Sequence, residues 1–134
     1  MKFRYKKYGP KILRPVIPVE IIHNGTGVSY EVLVDSGADL CIFDAQVGEI
    51  LGIDVEKGEK NLVSGVTGSP EPYYVHPITI KVGGWSYKIK AGFKPNTSRL
   101  NYGVVGQNGF FDIFVVKFDL LKSEIELKSR WNKD

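Results

Sequence analysis

Residues 32–43 read Val-Leu-Val-Asp-Ser-Gly-Ala-Asp-Leu-Cys-Ile-Phe, a stretch that sets a carboxylate between two apolar runs. Val32, Leu33 and Val34 form the kind of β-branched run that fills a buried strand. Asp35 follows directly, so a carboxylate is delivered at a strand end. Ser36 and Gly37 then force a tight turn, glycine being the residue that tolerates a positive φ and close backbone approach. Leu40 to Phe43 resumes the apolar pattern. A charged side chain between two core segments must be hydrogen-bonded, paired or kept protonated. Carboxylates in such surroundings are candidates for acid–base chemistry. Asp-Ser-Gly is also a common turn tripeptide, and it is the strand-like sequence on both sides that favours chemistry over a plain turn.

Other chemistries find weaker support. Cys41 is the only cysteine, and within Leu40-Cys41-Ile42-Phe43 it reads as a small buried core residue rather than a nucleophile. His23 and His76 are the only histidines, and neither has a Cys, His or acid at metal-ligand spacing. No metal or cofactor is expected. Gly103-x-x-Gly106-x-x-Gly109 superficially resembles a phosphate loop, but it lacks the Lys-Ser/Thr ending and the strand–turn–helix unit such a loop needs.

The elements that position Asp35 follow from patterning. The chain has 134 residues, 43% hydrophobic and 25% charged, which suits one globular domain with a real core. A net charge of +3 is too modest to argue for nucleic acid. Lys2, Arg4, Lys6 and Lys7 form a basic cluster read as a solvated or frayed tail over residues 1–9. No apolar signal core follows it and no run approaches a membrane span, so a cytoplasmic protein without membrane contact is expected. A lone cysteine agrees with a reducing compartment.

Long helical periodicity is nearly absent, and short β-rich runs broken by Gly, Pro and Asn argue for an all-β barrel or sandwich. Val16 to Ile22 and Val28 to Val34 form a hairpin across Asn24-Gly25-Thr26-Gly27, with Asp35 at its far end. Pro15 and Pro18 place the first of these strands at an edge or bulge. Ala45 to Leu51 is a short helix closed by Gly52, and Asp54 to Lys60 reads as loop. Asn61 to Tyr74 reads as a mobile hairpin with the small-residue tip Ser64 to Ser69. Ile78, Ile80 and Val82 alternate with polar residues, Gly83-Gly84 turns, and Trp85, Tyr87, Ile89 and Ala91 alternate back. Lys94 to Asn101 is loop, and Val104-Val105-Gly106 is a short strand. Asn108 caps a helix carrying Phe110, Phe111 and Phe114, and a last hairpin turns near Lys122-Ser123.

Asp35-Ser36-Gly37-Ala38 after an apolar strand resembles the active-site loop of the retropepsin-like aspartic proteases, and the likeness extends further. A glycine-containing hairpin tip follows the Asp, and Val104-Val105-Gly106 resembles the family's apolar–apolar–Gly element. The extra hairpin from Phe118 to Leu127 is more like the cellular and prokaryotic members than the viral ones. The resemblance implies a retropepsin-like domain over residues 10–128, with a short C-terminal tail over 129–134. It implies a barrel-like half with a flap hairpin and one short C-terminal helix.

It also implies roles. Asp35 would be the catalytic residue, and Ser36, Gly37 and Ala38 the loop around it, with Ser36 bonding across a dimer axis. Asp39, Gly65, Val66, Thr67, Gly68, Tyr102 and Val104 would contact substrate, with Leu33 beside them. In viral members an Arg after the apolar–apolar–Gly element pairs with the counterpart of Asp39; here Gln107 stands in that place, so the ion pair is absent. Two carboxylates about 3 Å apart cannot both ionise and so share one proton, which lets one act as base and the other as acid. Asp-Ser-Gly occurs once, so one chain supplies half a site and a two-fold homodimer the whole. The expected activity is aspartic endopeptidase action on an extended peptide. A retropepsin-like fold used without turnover, as a peptide-binding or assembly module, is the alternative.

Overall fold

Apolar–polar alternation organises most of the chain into strands, and the computed structural model describes residues 1–64, 68–95 and 102–131. In chain order the strands are β1 (Lys2–Arg4), β2 (Lys6–Gly9), β3 (Ile12–Arg14), β4 (Val16–His23), β5 (Thr26–Val34) and β6 (Ile42–Asp44). The helix α1 (Ala45–Ile50) and a single 3₁₀ turn (Val55–Lys57) follow. The remaining strands are β7 (Glu59–Ser64), β8 (Pro70–Val82), β9 (Trp85–Lys94), β10 (Gly103–Val105), β11 (Phe114–Asp119) and β12 (Glu124–Ser129).

The main sheet runs β4-β5-β10-β6-β9-β8-β7, and a further pairing of β4 with β8 joins the strands into a ring from which β7 hangs. Its hairpins turn where glycine or asparagine supplies a positive φ, at Asn24-Gly25 and at Gly83-Gly84, the signature of tight two-residue turns. β4 pairs with β5 along its whole length but with β8 only through Glu20, Ile21 and Ile22. Pro18, which has no N–H to give, thus lies on the stretch without a β8 neighbour. Inside the ring are Ile17, Val19, Ile21, Val32, Val34, Ile78, Ile80, Phe43, Phe93 and Val105, all buried. The architecture is the all-β one expected from the sequence, and the one α-helix among the described residues is α1, well before the expected C-terminal position and capped by the Asp44 side chain accepting from the Gln46 N–H.

Three expectations are corrected. The basic N-terminus is not a frayed tail: Lys2, Phe3 and Arg4 pair with Glu126, Ile125 and Glu124, giving a three-stranded sheet of order β1-β12-β11. Phe3 packs against the core while Lys2 and Arg4 point out, and the next residues form the β2–β3 hairpin. The stretch Asp54 to Lys60 is not all loop, since it holds the 3₁₀ turn and the start of β7. Lastly, Asn108 caps no regular helix. The chain from Gln107 to Ile113 is a run of turns, in which the Phe111 and Asp112 N–H groups reach back five residues to the carbonyls of Gly106 and Gln107. Gly109 sits there at φ +106°, outside helical geometry. The aromatic spacing that suggested a helix instead buries Phe110 and Phe114 against Ile125 and Leu127.

Candidate active site

Asp35 follows the last residue of β5, where β10 runs parallel to it with Gly103 beside Val32, Val104 beside Leu33 and Val105 beside Val34. The pairing extends one bond further, the Asp35 N–H donating to the Val105 carbonyl at 3.0 Å. The chain then turns at once: the Ala38 N–H donates to the Asp35 carbonyl at 3.1 Å. The Gly37 N–H donates to Asp35 Oδ1 at 2.9 Å. A half-buried carboxylate is therefore held by a backbone donor of its own loop, and its other oxygen accepts no hydrogen bond among the described residues. Ser36, Gly37 and Asp39 are exposed, with Ala38 half-buried.

The segment after β10 clamps this loop from behind. The Gln107 N–H donates to the Ala38 carbonyl at 2.8 Å, and Gln107 Nε2 donates to the Ser36 carbonyl at 2.9 Å. Both the backbone N–H and Nδ2 of Asn108 donate to the Asp39 carbonyl at 2.9 Å. Gly106 permits the approach, because a Cβ there would lie 2.6 Å from the Leu40 carbonyl oxygen and closer still to that of Ala38. Gln107 thus grips the backbone of the active-site loop and not the Asp39 side chain. In the sequence Asn108 offers only a helix cap; its partner lies 69 positions away, so nothing local signals the bond.

An apolar strip adjoins the loop. Register pairs Leu33 with Val104 and Val104 with Ile42, so the three half-buried side chains share the face turned away from the barrel core. Leu33 and Val104 were candidates from the sequence. Ile42 was not, although period two in Leu40-Cys41-Ile42-Phe43 sends it to the face opposite buried Cys41 and Phe43.

Tyr102 is only 8% exposed. Its hydroxyl accepts from Arg14 Nη1 at 3.0 Å, and Tyr8 meets its ring edge-on at 5.9 Å between centroids. The Arg14 guanidinium also stands 5.0 Å over the Tyr8 ring. The β2–β3 hairpin therefore covers Tyr102, a contact invisible in a segment read as a tail. Gly65, Val66 and Thr67 lie outside the described residues. Gly68 is at φ +84°, with no atom of the described residues within 4 Å of a Cβ placed there, and the two arms of its hairpin are paired from Glu59–Val75 to Ser64–Pro70.

The aspartyl protease family matches residues 17–109, from β4 through the loop that clamps Asp35. The chain belongs to that family. Among solved structures, a retropepsin-like aspartic protease from Rickettsia conorii superposes with a TM-score of 0.70 over 95% of this chain and 88% of its own, at 16% identity. The EIAV protease complexed with the inhibitor HBY-793 superposes with a TM-score of 0.52 over 76% of this chain and 88% of its own, at 25% identity. No curated protein matches the sequence. An aspartyl protease of the retropepsin-like type is a hydrolase, and the Asp35 loop lies within the matched region.

The remaining reactive groups of this aspartyl protease are structural in their surroundings. Cys41 is fully buried, its Sγ 3.4 Å from the Asn108 carbonyl. Burial pushes its thiol up to about 11, so it stays protonated and unreactive at neutral pH. Among the described residues no group of three or more His, Cys, Asp and Glu side chains could hold a metal ion, and no helix is long and apolar enough to cross a membrane. Tyr87 is the exception to a well-satisfied interior: its buried hydroxyl has no hydrogen-bond partner among the described residues. Burial raises that phenol far above its ordinary value, with Cys41 and Asp112 adding to the effect. Tyr87→Phe removes an unsatisfied polar group while keeping the ring packed on Phe114. It should leave stability unchanged or raise it by about 1 kcal/mol in urea unfolding. A loss of that size would mean the hydroxyl has a partner in solution.

Proposed function

We propose that the protein is an aspartic endopeptidase whose catalytic centre is assembled from two copies of the chain, each contributing Asp35. The observation that carries this reading is the Asp35 carboxylate itself, which accepts the Gly37 N–H at a strand end where the Asp35 backbone N–H donates to the Val105 carbonyl, in a loop whose outer residues are exposed. A single carboxylate can be a base or an acid at one moment, whereas peptide hydrolysis without a metal or covalent nucleophile needs both. A two-fold axis passing beside the loop sets Asp35 against its symmetry mate, and Ser36 of each chain is then free to bond across that axis.

The chemistry follows from one shared proton. The ionised carboxylate takes a proton from a water molecule as its oxygen bonds to the scissile carbonyl carbon, while the protonated partner gives its proton to the carbonyl oxygen. The resulting gem-diol collapses as the carboxylate that gave its proton takes one back from a diol hydroxyl, the C–N bond breaks, and the leaving nitrogen receives the proton first taken from water, which restores the singly protonated pair. Leu33, Ile42 and Val104 supply the apolar floor for substrate side chains, and the Gly37 carbonyl and Asp39 meet the substrate main chain. The hairpin of β7 and β8, with Gly65, Val66, Thr67 and Gly68 at its tip, is the flap that closes over an extended peptide and excludes water. On the side of Tyr102, the covering residues Tyr8 and Arg14 are what a substrate meets.

The test is cleavage of a random peptide pool across pH. Because only the singly protonated pair is active, the rate should trace a bell on the acidic side of neutrality. Below the bell both carboxylates are protonated and no base remains; above it both are ionised, and neither the acid nor the shared proton is left. A rate that climbs steadily through about pH 8 would remove the paired carboxylates from the mechanism. Absence of cleavage at every pH, with intact peptide binding, would favour a non-catalytic peptide-binding module.

A further inference from the structure

The cross-strand row that carries Leu33, Val104 and Ile42 does not stop at the strip beside the Asp35 loop. It continues from Ile42 to Gly92 on β9 and from Gly92 to Val75 on β8. Gly92 and Val75 line a groove of about 370 Å³, walled on its other side by the Asn108–Ile113 turns and by Leu40. A Cβ at Gly92 would lie 2.7 Å from both Ile42 Cδ1 and Tyr73 Cδ2. Ile42 therefore stands between the Leu33–Val104 strip on one side and the groove residue Gly92 on the other. Leu40, directly after Asp39, lines the near end.

Charge distinguishes this groove from a plain apolar crease. Lys88 and Lys90 line it, both exposed and on one face of β9 opposite Thr79 and Pro77. Neither forms an ion pair among the described residues, whereas Lys94 on the same face is paired with Glu71. The carboxylate in the groove, Asp112, already accepts the Gly109 N–H at 3.0 Å. Two ammonium groups two positions apart on a strand repeat at about 6.5 Å, the same interval as alternate side chains of an extended peptide.

We propose that the groove continues the substrate path beyond the catalytic cleft, holding a segment of the polypeptide substrate in which acidic and apolar residues alternate. The acidic residues reach Lys88 and Lys90, and the apolar ones rest on Leu40, Val75 and Ile113. This rests on the aspartic endopeptidase reading and adds to it a substrate feature remote from the scissile bond.

The experiment has a binding arm and a kinetic arm. In the first, ¹⁵N-labelled Asp35→Asn protein is titrated with acetyl-Glu-Leu-Glu-Leu-Glu-amide and with its Gln-for-Glu isostere. Amide shifts should centre on Leu40, Lys88, Lys90, Gly92 and Ile113, and binding should weaken about fivefold or more with the isostere or in the Lys88→Glu/Lys90→Glu protein. In the second, the same acidic segment is fused to either end of a peptide cleaved from the pool. One fusion should raise kcat/KM about threefold or more in the native enzyme and leave it unchanged in the double variant, which should still cleave the unfused peptide at the native rate. Shifts centred elsewhere, equal binding of the isostere, or binding without any kinetic gain would overturn the proposal. Cleavage of no peptide at all would instead remove the endopeptidase reading, and the substrate path with it, whatever the titration gives.

Discussion

Asp35→Asn should lower kcat/KM by about a thousandfold or more while changing stability by less than about 1 kcal/mol. The two halves of that expectation have separate causes. The amide oxygen of asparagine can accept the Gly37 N–H as Asp35 Oδ1 does at 2.9 Å, and the backbone bonds of residue 35 to Val105 and Ala38 do not involve the side chain. The loop therefore keeps its shape. An amide neither takes a proton from water nor shares one with a neighbour, so the acid–base step fails. Relief of repulsion between two carboxylates at an interface should leave the dimer intact or tighter. Steady-state cleavage of a pool-derived peptide, with urea unfolding of the same preparation, measures both. Activity within tenfold of native would exclude Asp35 as the catalytic group.

The second large effect should come from a residue with no chemistry of its own. Gly106→Ala drives a methyl group onto the carbonyl oxygens of Ala38 and Leu40, two backbone atoms that cannot turn away as a flexible side chain would. The loop and the Gln107 segment must separate. Yet the residues on either side of Gly106 are what hold the site: the Val105 carbonyl accepts from Asp35, and the Gln107 N–H donates to Ala38. A loss of about 2–3 kcal/mol in stability is expected. A further drop of about a hundredfold in kcat per folded molecule should accompany it, because misplacing a catalytic group by an ångström is that costly. Urea unfolding and active-site-normalised kinetics separate the two. An alanine variant as stable and as active as the native protein would mean that the loop is not clamped in this way.

The parts of the fold that were legible in the sequence are those set by short-range rules. Asn24-Gly25 and Gly83-Gly84 announce two-residue turns between alternating runs, and the β4–β5 and β8–β9 hairpins follow. Val32 to Gly37 read correctly as a buried strand ending in a carboxylate and a turn, because strand filling and tight turning are local demands. What was not legible depends on distant partners. Lys2 to Tyr8 looks basic and tail-like by composition, but Phe3 and Tyr5 alternate with charges, and only the β12 edge offered by residues 124–126 makes that alternation a strand. The Phe110, Phe111 and Phe114 spacing suits a helix equally well. There, the side chain of Asn108 is spent on Asp39 and that of Asp112 on Gly109, which draws the backbone into successive turns. Gln107 looked like a lost ion pair. Its actual role, gripping the Ser36 carbonyl, depends on a close approach that only Gly106 allows.

The claim that two chains share one catalytic centre is tested most directly by mixing. Native protein held at a fixed concentration is equilibrated with a tenfold excess of Asp35→Asn protein, and peptide cleavage is measured. Random pairing leaves native chains mostly in mixed dimers that hold one carboxylate and one amide, so the rate should fall to about a tenth. A rate unchanged by the excess would mean that each chain acts alone and would contradict the shared centre.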